Sequence, residues 1–240
     1  MAARRSPAPP LCRDGREVPL LLLRGLSLFA LVAVSVSACA LADVSVKPPE
    51  SGLEQPIPGG NQRQVIVVLP FRDERPLRSR CGVQKGGWGN ETASALCQGD
   101  PAEWIAAALA RELAASGFMV LTSEAGARDS AVKIEGLLLK LFVEPVVGAW
   151  STTVESDFHV RLVATSRTGL HAERTFFAKG QLTSVIWPQG IFNDSVRRGM
   201  RDLLARMVQA ILDLMDRYPE LGLGPPDGGS LLARAGEGRR

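Results

Sequence analysis

Downstream of residue 63 the chain alternates apolar runs with polar, glycine-bearing stretches, and the spacing of the apolar positions predicts each element. QVIVVLPF at 64–71 is a short aliphatic run of the kind that fills a buried strand. The next stretch, 72–98, is polar and shows no apolar period, so it is expected to be a long connection. At 101–116 the period changes to that of a helix. Trp104, Ile105, Ala108, Leu109 and Leu113 form one stripe, Asp100 is a natural N-cap with Pro101 behind it and Glu103 completing a capping box, and Gly117 marks the stop. FMVL at 118–121 then predicts a second short strand.

Three longer strands are expected from Val132, Thr152 and Leu170. In the middle one Val154, Ser156, Phe158, Val160, Leu162 and Ala164 alternate with Glu155, Asp157, His159 and Arg161, so one face is buried and the other wet. Arg167-Thr168-Gly169 is a tight link that should close the last two strands into a hairpin. The first of the three is apolar in both phases: Leu137, Leu139, Leu141 and Val143 fill one, Ile134, Leu138 and Phe142 the other. It is therefore expected at the centre of a sheet, buried on both faces. A final long helix, capped by Asn193 or Asp194 and ending near Tyr218, carries Val196, Met200, Leu203, Leu204, Met207, Val208, Ile211, Leu212 and Met215 on one face. Arg197, Arg198, Arg201 and Asp202 lie on the other. This order predicts one α+β domain over 63–218, a mixed and mostly antiparallel sheet packed with two helices. Residues 219–240 have no period and are expected to be a disordered tail.

The first 38 residues have a different character. Five arginines precede or interrupt an apolar stretch that ends in GLSLFALVAVSVSA at 25–38. That stretch falls short of the about 20 residues a spanning helix needs and fits the apolar core of a secretory signal. Val36-Ser37-Ala38-Cys39 resembles the bacterial lipobox, in which small side chains enter a signal peptidase and the cysteine thiol accepts lipid. The resemblance implies cleavage before Cys39, a diacylglycerol on its sulfur and a further acyl chain, such as palmitate, on the new N-terminus; the other readings are a soluble secreted protein cleaved at an A-x-A-like site and an uncleaved anchor. Several chains together hold a protein to a membrane where one does not. The next residue is Ala40 rather than Asp, which in enteric-type sorting directs a lipoprotein to the outer membrane, facing the periplasm. KPPESGLEQPIPGGNQ then suggests that 39–62 is a flexible tether.

Removal of the signal alters the charge argument. Five of the 28 Lys and Arg and two of the 25 Asp and Glu lie within it, so the chain from Cys39 onward is neutral and carries no electrostatic footprint for nucleic acid. It also leaves Cys81 and Cys97 as the remaining cysteines besides Cys39. In an oxidising compartment they are a natural disulfide; the other reading is two free or metal-binding thiols.

A search for chemistry finds no catalytic set, no metal set and no cofactor motif. His159 and His171 are the only histidines, with no nucleophile or carboxylate pair at triad or ligand spacing. KGGWGN at 85–90 lacks phosphate-loop spacing. Trp88, flanked by glycines, is a candidate partner-binding anchor, the other reading being that it folds back on the domain. Asp73 and Arg75 are further candidates for a partner site, or else an ion pair holding the loop. Phe176, Phe177 and Trp187 are core or rim.

Taken together, the lipobox, LPFRDER, the CGVQKGGWGNETA loop and WIAAALARELAASGFMV resemble the YajG-type bacterial lipoproteins. Asp73 and Arg75 match that family's strand-end D-x-R, and Gly82 and Gly89 fall where its glycines sit. The resemblance implies a small α+β fold akin to the TolB N-terminal and curli-assembly lipoprotein groups, and no activity. The expected function is that of a non-enzymatic envelope lipoprotein, held to the membrane through its anchor, which binds a protein partner or itself. The alternatives are an auxiliary lipoprotein of an ABC-type lipid-transport system and an activator of cell-wall synthesis.

Overall fold

A computed structural model describes residues 42–50, 52–148, 150–185 and 190–222. The segment expected to be a signal, Cys39, Trp187 and the residues beyond 222 lie outside them.

The described chain builds one nine-stranded mixed sheet and two helices. The organising strand is β7 (Val132–Val147). Along one edge it pairs in parallel with three short strands in turn: β2 (Gln64–Val67) at its start, β3 (Arg72–Asp73) at its middle and β4 (Gly82–Lys85) towards its end. Outside these, β6 (Met119–Leu121) pairs with β2, and β5 (Glu91–Cys97) pairs with β4 and carries β1 (Val44–Val46) on its far side. Along its other edge β7 starts an antiparallel meander with β8 (Thr152–Ser166) and β9 (His171–Ser184). The long antiparallel ladders dominate the sheet, and the fold is α+β as the periodicities predict.

Helices α1 (Pro101–Ala115) and α2 (Ile191–Arg217) cover one face. Every apolar α2 position named from the periodicity, from Val196 to Met215, is buried against β8 and β9 or against α1. Asp100 caps α1 by accepting from the Ala102 N–H at 2.8 Å. On β8 the alternation is as expected, with Val154, Ser156, Phe158, Val160, Leu162 and Ala164 buried.

In four places the structure departs from the sequence expectation. First, β7 is central, but it is not buried evenly on both faces. A bulge between Leu138 and Lys140 leaves Leu139 without a β8 partner and shifts the side-chain phase by one. Ile134 and Leu138 before it, and Leu141 and Val143 after it, thereby share the helix-covered face. The two-phase apolar pattern is one phase with an inserted residue.

Second, 72–98 is not an unstructured connection. It contributes β3, β4 and β5, whose hairpin turns through Gly86–Asn90. Their side chains have no clear period because two of these strands are very short and the hairpin is half-buried.

Third, the stretch expected to be a free tether is part of the fold from Ala42 onward. Val46 is fully buried, Leu53 and Ile57 pack on the core, and Gly60 and Gln62 donate backbone hydrogen bonds to Ser116 and Gly117 at the end of α1. Prolines exclude helix but not an extended chain laid over a core.

Fourth, α2 begins at Ile191 with Gly190 as N-cap, in a left-handed conformation and with no side-chain cap. Asn193 instead accepts from the Lys47 N–H and Asp194 pairs with Arg197. The fold also runs past residue 218. Leu221 is buried, and Gly222 donates to Ser130 O and accepts from Gln64 N–H, so 219–222 belong to the domain.

Candidate functional site

Cys81 and Cys97 are joined by a disulfide, with Cα atoms 5.1 Å apart, at the base of the β4–β5 hairpin. Beside it lies Arg75, only 4% exposed. Its guanidinium donates to both Asp73 carboxylate oxygens, with Nη2 to Oδ2 at 2.9 Å and Nε to Oδ1 at 3.0 Å. Nη1 reaches Arg80 O at 3.2 Å and Cys97 Sγ at 3.6 Å, and Nη2 reaches Arg78 O at 3.4 Å. Burial alone would raise the Asp73 pKa, but the hydrogen bonds and charge of Arg75 outweigh it and hold the carboxyl below its ordinary value. Asp73 and Arg75 therefore form a buried clamp that ties β3 to the disulfide and to the 74–80 loop. The structure shows the ion pair that holds the loop, and Arg75 also lines the groove beside His159.

The two glycines that carry the family resemblance are required for different reasons. A Cβ on Gly82 would sit 1.8 Å from Val143 O, so only glycine lets β4 lie against β7. Gly89 has open space but a φ of +78°, the left-handed conformation of the hairpin turn. Between them Trp88 stands at the tip, 98% exposed, and does not fold back on the domain.

Among the described residues no helix covers the second face of the sheet. There His159 on β8 meets Phe177 on β9 edge to face, with ring centroids 4.6 Å apart. Phe177 is 59% exposed, whereas its neighbour Phe176 is buried in the core. Partial burial, with Lys140 nearby, lowers the His159 pKa, and Asp157 opposes this in part. A groove of about 350 Å³ runs beside the histidine, walled by Pro76, Leu77, Leu139 and Phe142. The β-bulge at Leu139 thus both repairs the core phase and opens this groove. His159 and His171 do not meet across the hairpin. His159 pairs with Phe177 and His171 with Thr165, six residues along the ladder, roughly 20 Å away at strand rise. Among the described residues no group of three or more His, Cys, Asp or Glu is placed to hold a metal.

A further cleft, about 210 Å³, lies between α2 and the meander, lined by Ile134, Leu162, Phe176, Ile211 and Leu214 with Arg174 and Arg217 at its edge. Among the described residues no helix is long and apolar enough to cross a membrane.

No protein-family model matches this sequence, and no curated protein matches it. Its fold is similar to the crystal structure of a Xanthomonas campestris protein of the DUF330 family, at a TM-score of 0.52 and 10% identity, covering 73% of this chain and 99% of that one. A minor lipoprotein from Acinetobacter baumannii aligns at a TM-score of 0.32 and 13% identity, over 67% of this chain and 99% of that one. The first likeness establishes a shared architecture; the second is too distant to add to it.

Proposed function

We propose that this chain is a lipid-anchored protein of the bacterial envelope, of YajG-type lipoprotein character, that acts as a non-enzymatic accessory factor by binding a protein partner. The observation that carries the reading is the asymmetry of the sheet. Among the described residues both helices cover one face, while the other carries Phe177, His159 and the Leu77–Phe142 groove. An aromatic side chain beside an apolar groove, rimmed by charged residues, suits a protein partner. The anchor reading is supported by where the fold begins. Among the described residues Ala42 and Asp43 already take part in its hydrogen bonds, shortly after the lipobox-like Val36–Cys39 in the sequence.

The lipid-transport alternative has the cleft under α2 in its favour, apolar inside, with Arg174 and Arg217 balanced by Glu173 and Asp213 in its lining. At about 210 Å³ that cleft is smaller than the roughly 300–1,000 Å³ of ordinary ligand pockets, which favours the partner reading.

The test is a photo-crosslinking residue placed at position 177 in the full chain in its own cells, followed by mass spectrometry of the adducts. A defined envelope protein, lost when Leu77 is changed to Asp, supports the reading. Adducts to lipid alone favour the transport alternative. Mass analysis of the mature N-terminus tests the anchor separately.

A further inference from the structure

The strand register gathers three loops at one end of the sheet. Val147, the last residue of β7, pairs with Thr152, the first of β8, and Thr152 pairs with Ser184, the last of β9. Because β4 runs parallel to β7 from the Gly82–Val143 pair, the β4–β5 hairpin tip lies at this end too, and Lys85, Trp88 and Gly89 share a concavity with Glu144, Val146 and Val147. The residues displayed here are apolar and exposed: Trp88 at 98%, Trp150 at 89%, Val185 at 83% and Val146 at 49%. Two of the four tryptophans of the chain thus stand in water on loop tips.

The end is also neutral. The turn 86–90 and the stretches 145–154 and 180–193 contain no charged residue, and the charged residues that flank them are paired among themselves, Lys85 with Glu144, Arg80 with Glu91 and Lys179 with Glu155. The opposite end of the meander differs in character. Around the β8–β9 turn stand Arg167, Glu124, Asp129 and Lys133, joined in ion pairs. The loops at one end carry exposed apolar side chains and no charge, and those at the other carry charged side chains.

The chain enters the fold at the neutral end. β1 runs parallel to β5 with Val44 opposite Ala95, so the residues before it lie towards the hairpin tip. Gln84 Nε2 donates to Ala42 O at 2.9 Å, and the Ser94 N–H donates to Asp43 Oδ1 at 2.8 Å, fixing this entry beside the turn. Cys39 is three residues before Ala42 in the sequence, a span of at most about 10 Å whatever its conformation. A lipid on Cys39 would leave no long tether; it would hold this end of the domain against the bilayer.

We infer that the loop tips carrying Trp88, Trp150, Val146 and Val185 form a membrane-seated rim that rests on the bilayer holding the anchor. The occupant is a lipid surface, because tryptophan favours the headgroup region, where its ring is half in hydrocarbon and its N–H remains hydrated. The glycines around Trp88 let the tip adapt to that surface. The rim gives the anchored domain one orientation, with the charged end furthest from the bilayer. The inference rests on the anchor part of the proposed function and not on the partner part.

The test uses the full mature protein purified from its own cells, reconstituted in phosphatidylethanolamine–phosphatidylglycerol vesicles with or without brominated acyl chains. The same preparation is weighed for acylation of Cys39. Brominated lipid should remove up to about half of the tryptophan emission, and the Trp88→Phe/Trp150→Phe protein should lose most of that effect at an unchanged melting temperature. Acylated protein that brominated lipid does not quench overturns the rim and leaves the anchor standing. Equal quenching of wild type and variant also overturns the rim, since the contact would then lie at Trp104 or Trp187. An unmodified Cys39 overturns the anchor, and with it the orientation.

Discussion

Gly180 on β9 and Gly199 on α2 meet backbone to backbone. A Cβ added to Gly180 would lie 1.9 Å from Ser195 O and 2.5 Å from Gly199 N, and one added to Gly199 would lie 2.6 Å from Phe158 Cε2. The contact is reinforced by buried hydroxyls. Ser195 Oγ lies 3.1 Å from both Val154 O and Gly180 O, and Ser156 Oγ donates to Ser195 O at 2.9 Å. Helix and sheet are therefore fixed in register by two missing side chains and two serines.

Alanine at either glycine should force α2 off the sheet. The expected loss is about 1–3 kcal/mol or more for each, read from urea midpoints at constant slope. Gly87→Ala, where a Cβ meets nothing within 4 Å, should change stability by less than about 0.5 kcal/mol and serves as the control.

Arg75→Met should be among the most damaging single changes near the disulfide. It leaves the Asp73 carboxylate without its counter-ion and the Arg78 and Arg80 carbonyls without a donor, in a buried position. A loss of about 3–5 kcal/mol is expected by chemical denaturation, with Arg75→Lys recovering only part of it because an ammonium cannot form the fork. Because Arg75 holds the folded Asp73 pKa down, the pair contributes stability above the unfolded carboxyl value, and this is lost as pH falls through the folded one. The acid limb of the stability curve should be shallower in Arg75→Met.

Replacing both cysteines by alanine should cost about 3 kcal/mol on the chain-entropy model, for a sequence separation of 16. Denaturation with and without dithiothreitol should show the same difference in the wild type and none in the variant. Since Cys81 is fully buried, thiol labelling of the folded protein after brief reduction should be slow.

His159 should weaken the fold in mild acid. Its folded pKa is lowered by partial burial and by Lys140, so the folded state resists the proton that the unfolded chain accepts. Stability is then full above the unfolded value of about 6.5 and declines as pH falls through it towards the folded pKa. His159→Gln should flatten this part of the pH profile, and NMR titration of the ring should place its midpoint below 6.5.

Legibility along the chain followed the length of each periodic element. Helix α2 and strand β8 repeat their pattern often enough to name the apolar face of α2 from Val196 to Met215 and the inward set of β8, though not the buried Ile191, Phe192, Ser195 and Gly199 of the first helical turns, and the Asp100 cap of α1 is readable from local chemistry alone. Strand β7 was readable as central but not in its faces, because one inserted residue at Leu139 mimics a strand apolar on both sides. Phe177 and Phe176 were indistinguishable by composition; only the β8 register, with His159 opposite Phe177, puts one outside and the other in the core. Trp150 carries a weak local signal, a tryptophan close after a glycine in an uncharged stretch.

By itself, the sequence determined the features that depend on neighbours along the chain: helix stripes, strand alternation, the tight β8–β9 turn, and a candidate anchor at Cys39. Tertiary structure decided those that depend on pairing between distant segments. Residues 44–46 are a strand because β5 offers them a free edge, and the 72–98 stretch is ordered because β7 is long enough to accept three short strands along one side. Asp73 and Arg75 are a clamp because the disulfide and the Arg78 and Arg80 carbonyls surround the guanidinium. Backbone hydrogen bonds and close approach through glycine carry no side-chain period, so these relationships exist only once the chain has folded.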